Sequence, residues 1–184
     1  MDIWEWTYET RRQLQRDGEA RLAHLMRRIP SLACDDDHAE LDAAYPEALA
    51  HARRLGLNWL ELFVRHWHLQ SRILHRMETG QYLSEAVDLL EFAHREENLA
   101  CPQSVCTTQD LAVAYGQRDG KGFVPERLEA AGETLARIDP SWQCFECIVN
   151  EYVGALVDGD RAAEALEFLE ARTEEIERTC SPEV

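Results

Sequence analysis

The tripeptide Glu47-Ala48-Leu49 recurs three times in related form, as Glu85-Ala86-Val87, Glu126-Arg127-Leu128 and Glu164-Ala165-Leu166. The successive glutamates lie 38, 41 and 38 residues apart. A period of this length is typical of helical hairpins that stack side by side, because one hairpin alone cannot bury its apolar face. The spacing therefore predicts an all-α chain made of repeated pairs of antiparallel helices.

Proline precedes the glutamate in two of the four copies, as Pro46-Glu47 and Pro125-Glu126. Proline is favoured at the first position of a helix, where its missing N–H has no helical partner to lose. A carboxylate in the first turn also complements the helix dipole. We therefore predict that each signature glutamate lies in the first turn of the second helix of a hairpin.

The first helices of the hairpins are predicted from segments that are apolar on nearly every side, residues 58–77 and 141–157. A helix of this kind is buried between neighbours. The segments that begin at Glu85 and Ala162 instead carry a single apolar stripe, as expected for an outer layer. A further helix is predicted from Asp2 to about Arg16. In total we expect about eight helices and no strand.

The chain is predicted to form a single domain, residues 1–184, in which residues 1–37 are N-terminal capping helices and residues 38–180 are hairpin repeats. Trp4 and Trp6 are predicted to dock onto the first hairpin as part of this cap. The alternative is an exposed aromatic patch through which copies of the chain associate.

Within the repeats, Ala86, Leu90 and Ala93 have a small–large–small spacing, and Glu85-Ala86-Val87 follows Gly80. These features, together with the length of the helix pairs and the prolines between them, resemble the tetratricopeptide repeat superfamily over roughly residues 40–180. The resemblance implies a right-handed superhelix of helical hairpins. It also implies a protein-binding scaffold that holds a peptide or a partner helix in a groove lined by the first helices.

Composition and charge narrow the classes of partner. The formal net charge of −16 argues against nucleic acid, which needs clustered Lys and Arg, and is compatible with a basic protein partner. The sequence contains no run of 18 apolar residues, so we expect no membrane span. The acidic N-terminus does not resemble an export signal, so a cytoplasmic protein is expected. The bias towards 18 arginines and one lysine indicates GC-rich, bacterial coding.

The candidate partner-binding residues form a basic stripe on the predicted helix 58–77. Arg65, His68, Arg72 and Arg76 recur at spacings of three or four and therefore share one face. We expect this stripe to bind an anionic segment through guanidinium hydrogen bonds, with Gln109 and Glu151 further along the same groove. The alternative is an exposed face whose arginines pair with glutamates of the chain itself.

Four of the six cysteines have spacings that allow a shared site, namely Cys101, Cys106, Cys144 and Cys147. If they converged, they could form a structural zinc site or a redox pair. The competing interpretation is that they are buried, reduced thiols that behave as small hydrophobic residues. We expect no metal and no cofactor.

No sequence motif for catalysis is present: there is no phosphate-binding glycine loop, no H-E-x-x-H and no G-x-S-x-G. The sequence therefore favours a non-enzymatic protein-binding module. One alternative is a dedicated immunity protein or chaperone for a single, basic partner such as a secreted toxin. Others are a zinc- or thiol-dependent sensor that uses the cysteines and an accessory subunit that oligomerises through Trp4 and Trp6. The partner's identity and the oligomeric state remain open at this point.

Overall fold

The computed structural model describes residues 2–180, and side chains as far as residue 178. This part of the chain contains nine α-helices and no strand. The helices are α1 (Ile3–Arg16), α2 (Ala20–Cys34), α3 (His38–Leu55), α4 (Asn58–Gln70), α5 (Thr79–Ala93), α6 (Gln103–Asp119), α7 (Val124–Leu135), α8 (Phe145–Asp158) and α9 (Ala162–Cys180). A π-helical turn (Ser71–His75) continues α4, and a 3₁₀ turn (Glu96–Asn98) follows α5.

The all-helical class is confirmed, and the expected number of about eight helices is corrected to nine over the described residues. The physical reason is that several connections are too short to show as breaks in the sequence. Only Gly56 and Leu57 separate α3 from α4. Gly56 makes this connection possible because it adopts a φ of +65°, in the left-handed region that favours glycine.

The predicted helix starts are right for two signature glutamates and wrong for the other two. Glu126 and Glu164 lie in the first turns of α7 and α9. Glu47 and Glu85 lie in the interiors of α3 and α5, and Pro46 stands inside α3 instead of at its start. Helix α3 continues past the proline because its buried face, with Leu41 before Pro46 and Ala48 after it, requires one continuous helix.

The helices are arranged so that α2, α4, α6 and α8 contact one another in that order. Helix α3 contacts both α2 and α4, α5 contacts α4 and α6, α7 contacts α6 and α8, and α9 contacts α8. We call α2, α4, α6 and α8 the inner helices and α3, α5, α7 and α9 the outer helices. Each of the four signature glutamates lies on an outer helix.

Helix α4 is buried on nearly every side, as its sequence predicts. Leu62, Phe63 and Val64 are all fully or almost fully buried, and as consecutive residues they point in directions about 100° apart around the helix. Neighbours therefore have to cover α4 all round, and contacts with α2, α3, α5 and α6 provide most of this cover.

Helix α1 packs on the remaining side of α4 through aromatic side chains. The Trp6 ring lies 5.6 Å from that of Trp59 and 6.1 Å from that of Phe63, and Trp4 lies 5.9 Å from Trp67. Near the start of α1, the backbone N–H of Ile3 donates to the side-chain oxygen of Gln143, next to α8. His68 of α4 points towards α3 and α5, where it contacts Tyr45 and Tyr82. Helix α1 therefore lies on the opposite side of the inner helices from α3 and α5.

The apolar core has two parts that meet at α6. The larger part extends from Leu14 to Ala114 and includes Phe63, whereas the smaller part joins Val105 to residues of α7 and α8. Polar residues of α6 lie between them and make internal bonds. Thr108 bonds to Thr134, and the Ser104 carbonyl accepts from Arg137. None of the helices in the described region is both long and apolar enough to cross a membrane.

Replacing Phe63 with alanine tests this packing. The side chain is 0% exposed and contacts both the α1 aromatic residues and the core, so Phe63→Ala should lower the free energy of unfolding by about 3–5 kcal/mol. Urea denaturation measures this change. Val157→Ala is the control, because Val157 is 52% exposed and its loss should change stability by less than about 0.5 kcal/mol. Equal effects of the two substitutions would contradict the described core.

Candidate functional site

The basic stripe of α4 meets a carboxylate within the chain. Asp42 of α3 accepts hydrogen bonds from both Nη atoms of Arg76, at 2.8 and 2.9 Å, and lies 2.9 Å from Arg72 Nη2. His68 Nε2 lies 3.3 Å from the same carboxylate. Hydrogen bonding from Arg76, followed by the charge of Arg72, lowers the pKa of Asp42. Three of the four stripe residues thus converge on one internal anion.

Aromatic rings and a second carboxylate complete this cluster. His68 stacks on Tyr45 with ring centroids 3.9 Å apart, and the Arg72 guanidinium lies over the Tyr82 ring at 5.1 Å. Arg72 also donates to Glu78 at 2.9 Å. Burial, followed by the positive charge of Arg72, lowers the pKa of His68 to about 4, so this imidazole is neutral at pH 7.

The remaining stripe residue, Arg65, lies 3.8 Å from Glu61 and above the Phe92 ring of α5 at 5.5 Å. The stripe therefore faces the outer helices α3 and α5, and its closest charged contacts are internal. The internal pairing agrees with the alternative stated from the sequence, but the face is half-buried instead of exposed, and Asp42 is the carboxylate that Arg72 and Arg76 share. A role for Arg65, His68, Arg72 and Arg76 in binding a partner stays a prediction.

Gln109 and Glu151 lie apart from this cluster, on α6 and α8. Gln109 is half-buried and makes no side-chain hydrogen bond within residues 2–178. Burial raises the pKa of Glu151, the nearby Arg127 opposes this, and the negative charge of Asp110 adds to it. Glu151 of α8 therefore lies near Arg127 of α7 and Asp110 of α6. The structure thus does not join these two residues and the arginine stripe into one surface, and their partner-binding role also stays a prediction.

The buried pair of His66 and Asp110 is a feature that the sequence analysis missed. His66 Nδ1 lies 2.8 Å from Asp110 Oδ2, and both side chains are almost completely buried. This contact links α4 to α6 in the interior. The available signal was the polar composition of residues 103–110, because a helix with so many polar residues can be buried only if other elements supply hydrogen-bond partners.

An open groove lies between the outer helices α5 and α7. Its volume is about 360 Å³. The floor is apolar and consists of Val87 and Leu90 from α5, Leu111 and Tyr115 from α6, and Ala130 from α7. Its rim carries four glutamates, Glu91, Glu126, Glu129 and Glu133. We call this feature the acidic groove.

The four rim glutamates are exposed, and we find no ion pair for any of them among the described residues. Glutamates elsewhere in the chain do pair: Glu47 with Arg21, Glu61 with Arg53 and Glu164 with Arg161. None of the ten residues that line the acidic groove is Lys or Arg. The groove therefore combines an apolar floor with negative charge that the chain itself does not neutralise.

Two titratable side chains in the acidic groove, Tyr115 and His94, have pKa values shifted by their surroundings. Burial and the charge of Glu126 raise the pKa of Tyr115. Burial, followed by the positive charge of Arg137, lowers the pKa of His94, although Glu133 opposes this shift. His94 is therefore neutral at pH 7 and does not add a positive charge to the groove. The sequence alone does not reveal this groove because its lining comes from three separate helices whose packing has to be known, although Glu126, Glu129 and Glu133 follow helical spacing.

The four cysteines considered as a zinc site do not converge. Cys106 and Cys144 lie together, with 3.2 Å between their sulfur atoms, whereas Cys101 donates to the side-chain oxygen of Gln103 at 3.1 Å. No group of three or more His, Cys, Asp or Glu side chains with metal-binding geometry occurs in the described part of the chain. The zinc alternative therefore has no geometric support, and the thiol pair remains for consideration below.

No protein-family model, curated protein or solved structure matches this chain.

The depressed pKa of His68 makes stability depend on pH in a defined direction. In the unfolded chain His68 has a pKa near 6.5, so it binds a proton there as the pH falls, while the folded form stays neutral down to about pH 4. The neutral His68 contributes about 1–3 kcal/mol to the free energy of unfolding. This contribution is complete above pH 6.5 and is lost as the pH falls towards 4.

Urea denaturation of the native chain and of His68→Asn at pH 7.5 and pH 4.5 measures this contribution. The native chain should lose more stability over this interval than His68→Asn does. His24→Asn is the matched control, because His24 is exposed, and it should lose as much stability as the native chain. An identical loss in all three proteins would contradict a buried, neutral His68.

Proposed function

We propose that this chain is a non-enzymatic protein-binding module that holds a basic, amphipathic segment of one partner polypeptide in the acidic groove. The observation that carries the proposal is the combination of an apolar floor with four unpaired rim glutamates. Isolated exposed carboxylates are ordinary, but an apolar depression surrounded by them is complementary to a segment with apolar anchors between Lys or Arg side chains.

The wider arrangement that we propose is a right-handed superhelix of four hairpins, α2–α3, α4–α5, α6–α7 and α8–α9, similar to tetratricopeptide repeats. Two observations support it. The inner helices contact one another in chain order, and one signature glutamate falls on the outer helix of each hairpin. In such a stack each outer helix lies over its own inner helix and the next one, which leaves grooves between successive outer helices.

The acidic groove is preferred to the inner face as the contact surface because α1 occupies part of that face. Trp6 packs on Trp59 and Phe63, and Ile3 reaches Gln143 beside α8. A partner that bound along the inner helices would have to displace these contacts. The acidic groove, in contrast, is open, and its rim requires no rearrangement of ion pairs before a cation can bind.

The dimensions of the groove fit a short segment. The rim residues of α7, from Glu126 to Glu133, cover about two helical turns, or roughly 10 Å. A volume of about 360 Å³ accommodates a few apolar side chains. A partner helix that places apolar residues at positions i, i+3 and i+4, with Lys or Arg on both flanks, matches this surface.

A more specific version of the proposal is a dedicated immunity protein or chaperone for a single basic partner. The net charge of −16 supports this version, because it would accelerate encounter with a positively charged protein. In both versions the carboxylates of the groove supply charge complementarity, and proton transfer is not part of the proposed role.

Binding of a designed peptide tests the proposal. The probe is a fluorescently labelled amphipathic helix of about 14 residues with leucines on one face and lysines on both flanks. We expect it to bind the native chain, with an affinity that falls as salt is added. The double substitution Glu129→Lys/Glu133→Lys should weaken binding roughly tenfold or more, measured by fluorescence anisotropy.

The matched control is Glu167→Lys/Glu170→Lys, which makes the same change of net charge on exposed residues of α9. It should weaken binding by less than about twofold, because only long-range, screened electrostatics is altered. Backbone NMR shifts caused by the peptide should map to α5, α6 and α7. Equal weakening by both double variants, or shifts confined to other helices, would contradict the proposed site.

A further inference from the structure

Two thiols from distant parts of the chain lie in direct contact beneath the start of α8. Cys106 belongs to the first turn of α6, and Cys144 is the residue immediately before α8. Their sulfur atoms are 3.2 Å apart. Because a disulfide bond is about 2.05 Å long, the sulfurs need to approach by only about 1 Å to form one.

The surroundings of Cys144 favour its thiolate. It occupies the N-cap position of α8, a helix of 14 residues, where the helix dipole favours negative charge although the Cys144 side chain makes no capping hydrogen bond. The Cys106 thiol can donate to the Cys144 sulfur, and this hydrogen bond lowers the pKa of Cys144 although burial opposes the shift. Cys144 is half-buried, whereas Cys106 is buried, so a small oxidant reaches Cys144 more readily.

Cys106 has the opposite properties. Its side chain is buried, and its contact with Cys144 together with burial raises its pKa well above the ordinary value. Cys106 therefore keeps its proton more strongly than Cys144 does, and Cys144 is the sulfur of the pair that ionises more readily. This is the asymmetry that a dithiol needs if one sulfur is to react with an oxidant and the other is to resolve the product.

We propose that Cys144 and Cys106 form a peroxide-reactive dithiol, in which Cys144 is the attacking sulfur and Cys106 the resolving sulfur. The Cys144 thiolate attacks one oxygen of a hydroperoxide such as hydrogen peroxide. The O–O bond breaks, Cys144 becomes a sulfenic acid, and hydroxide leaves and takes up a proton to form water. The Cys106 sulfur then attacks the Cys144 sulfur, the S–O bond breaks, and a second water leaves with the Cys106 proton. In total, two thiols lose two electrons and two protons, and one peroxide becomes two waters.

Cys147 and Cys101 are the competing partners for Cys144. Cys144 and Cys147 form a C-x-x-C sequence within the first turn of α8, but burial followed by the charge of Cys144 raises the pKa of Cys147. Cys101 is buried, and its sulfur lies against Gln103 and the carbonyl of Trp59. Among the cysteines whose side chains the structure describes, Cys106 is the one whose sulfur lies within hydrogen-bond distance of the Cys144 sulfur.

Disulfide formation between these residues would tie α6 to α8. It closes a loop that contains all of α7, so the oxidised chain should be more resistant to unfolding than the reduced chain. The dithiol lies on a different part of the molecule from the acidic groove, so the two proposals can fail independently.

The test is treatment of the full, reduced chain with hydrogen peroxide, followed by alkylation, trypsin digestion and mass spectrometry without reductant. Cys106 lies in the tryptic peptide 96–118, whereas Cys144 and Cys147 both lie in peptide 138–161. The expected product is a disulfide that joins these two peptides. It should also form in Cys101→Ser and Cys147→Ser, and be lost in Cys106→Ser and Cys144→Ser.

Two further measurements separate the roles of the two sulfurs. In Cys106→Ser, dimedone should trap a sulfenic acid at Cys144, because the resolving thiol is absent. Oxidation should raise the thermal midpoint of the native chain by several degrees and leave that of Cys106→Ser unchanged. Three results would overturn the proposal. The first two are a disulfide within peptide 138–161 of the native chain and oxidation of Cys34 alone. The third is that dimedone labels Cys106 in Cys144→Ser as fast as it labels Cys144 in Cys106→Ser.

Discussion

Helix α4 has apolar residues on almost every side, and the burial of this helix is the constraint on which the rest of the structure depends. Trp59, Phe63 and Trp67 share the side of α4 that α1 covers, whereas Leu62 and Leu69 are buried on another side. A single partner helix would therefore leave large apolar surfaces in water. The chain satisfies the requirement with α2 and α6 beside α4, α3 and α5 on its outer side, and α1 on its inner side. The layered arrangement follows from hydrophobic burial, since burial of large aromatic side chains contributes several kcal/mol each.

This constraint also determines which surfaces remain open. Because α1 is needed to cover Trp59 and Phe63, the inner face is partly occupied by the chain itself. The outer helices have no such cover, and α5 and α7 leave an open groove over α6. In the part of the chain that the structure describes, the charged side chains near α4 are paired within the chain, and those of the open groove are not. Arg72 and Arg76 are satisfied internally by Asp42, whereas the glutamates of the acidic groove remain available for a partner.

The sequence predicted the features that depend on local periodicity, and it failed for those that depend on long-range partners. The all-helical class, the buried helix 58–77 and the capped start of α1 at Asp2 follow from patterns within a few turns. Pro46 was misleading because proline is normally a marker of helix starts, but the apolar face on both sides of it requires one helix. The arginine stripe was located correctly on one face, although nothing local indicates that Asp42, about 30 residues earlier, pairs with it. The contact between Cys106 and Cys144 is another such case, because hairpin spacing brings the two helices near each other without specifying which side chains meet.

The most direct test of this account is a measurement of proton–proton nuclear Overhauser effects between the ring of Trp6 and the rings of Trp59 and Phe63 in the full chain. If α1 covers the inner face of α4, cross-peaks should connect the Trp6 indole to both rings, and the Trp6 indole N–H should exchange more slowly with solvent than a fully exposed tryptophan does. A Trp6 side chain without cross-peaks to either ring, exchanging as fast as a free indole, would show that the inner face of α4 is uncovered and would contradict the central claim.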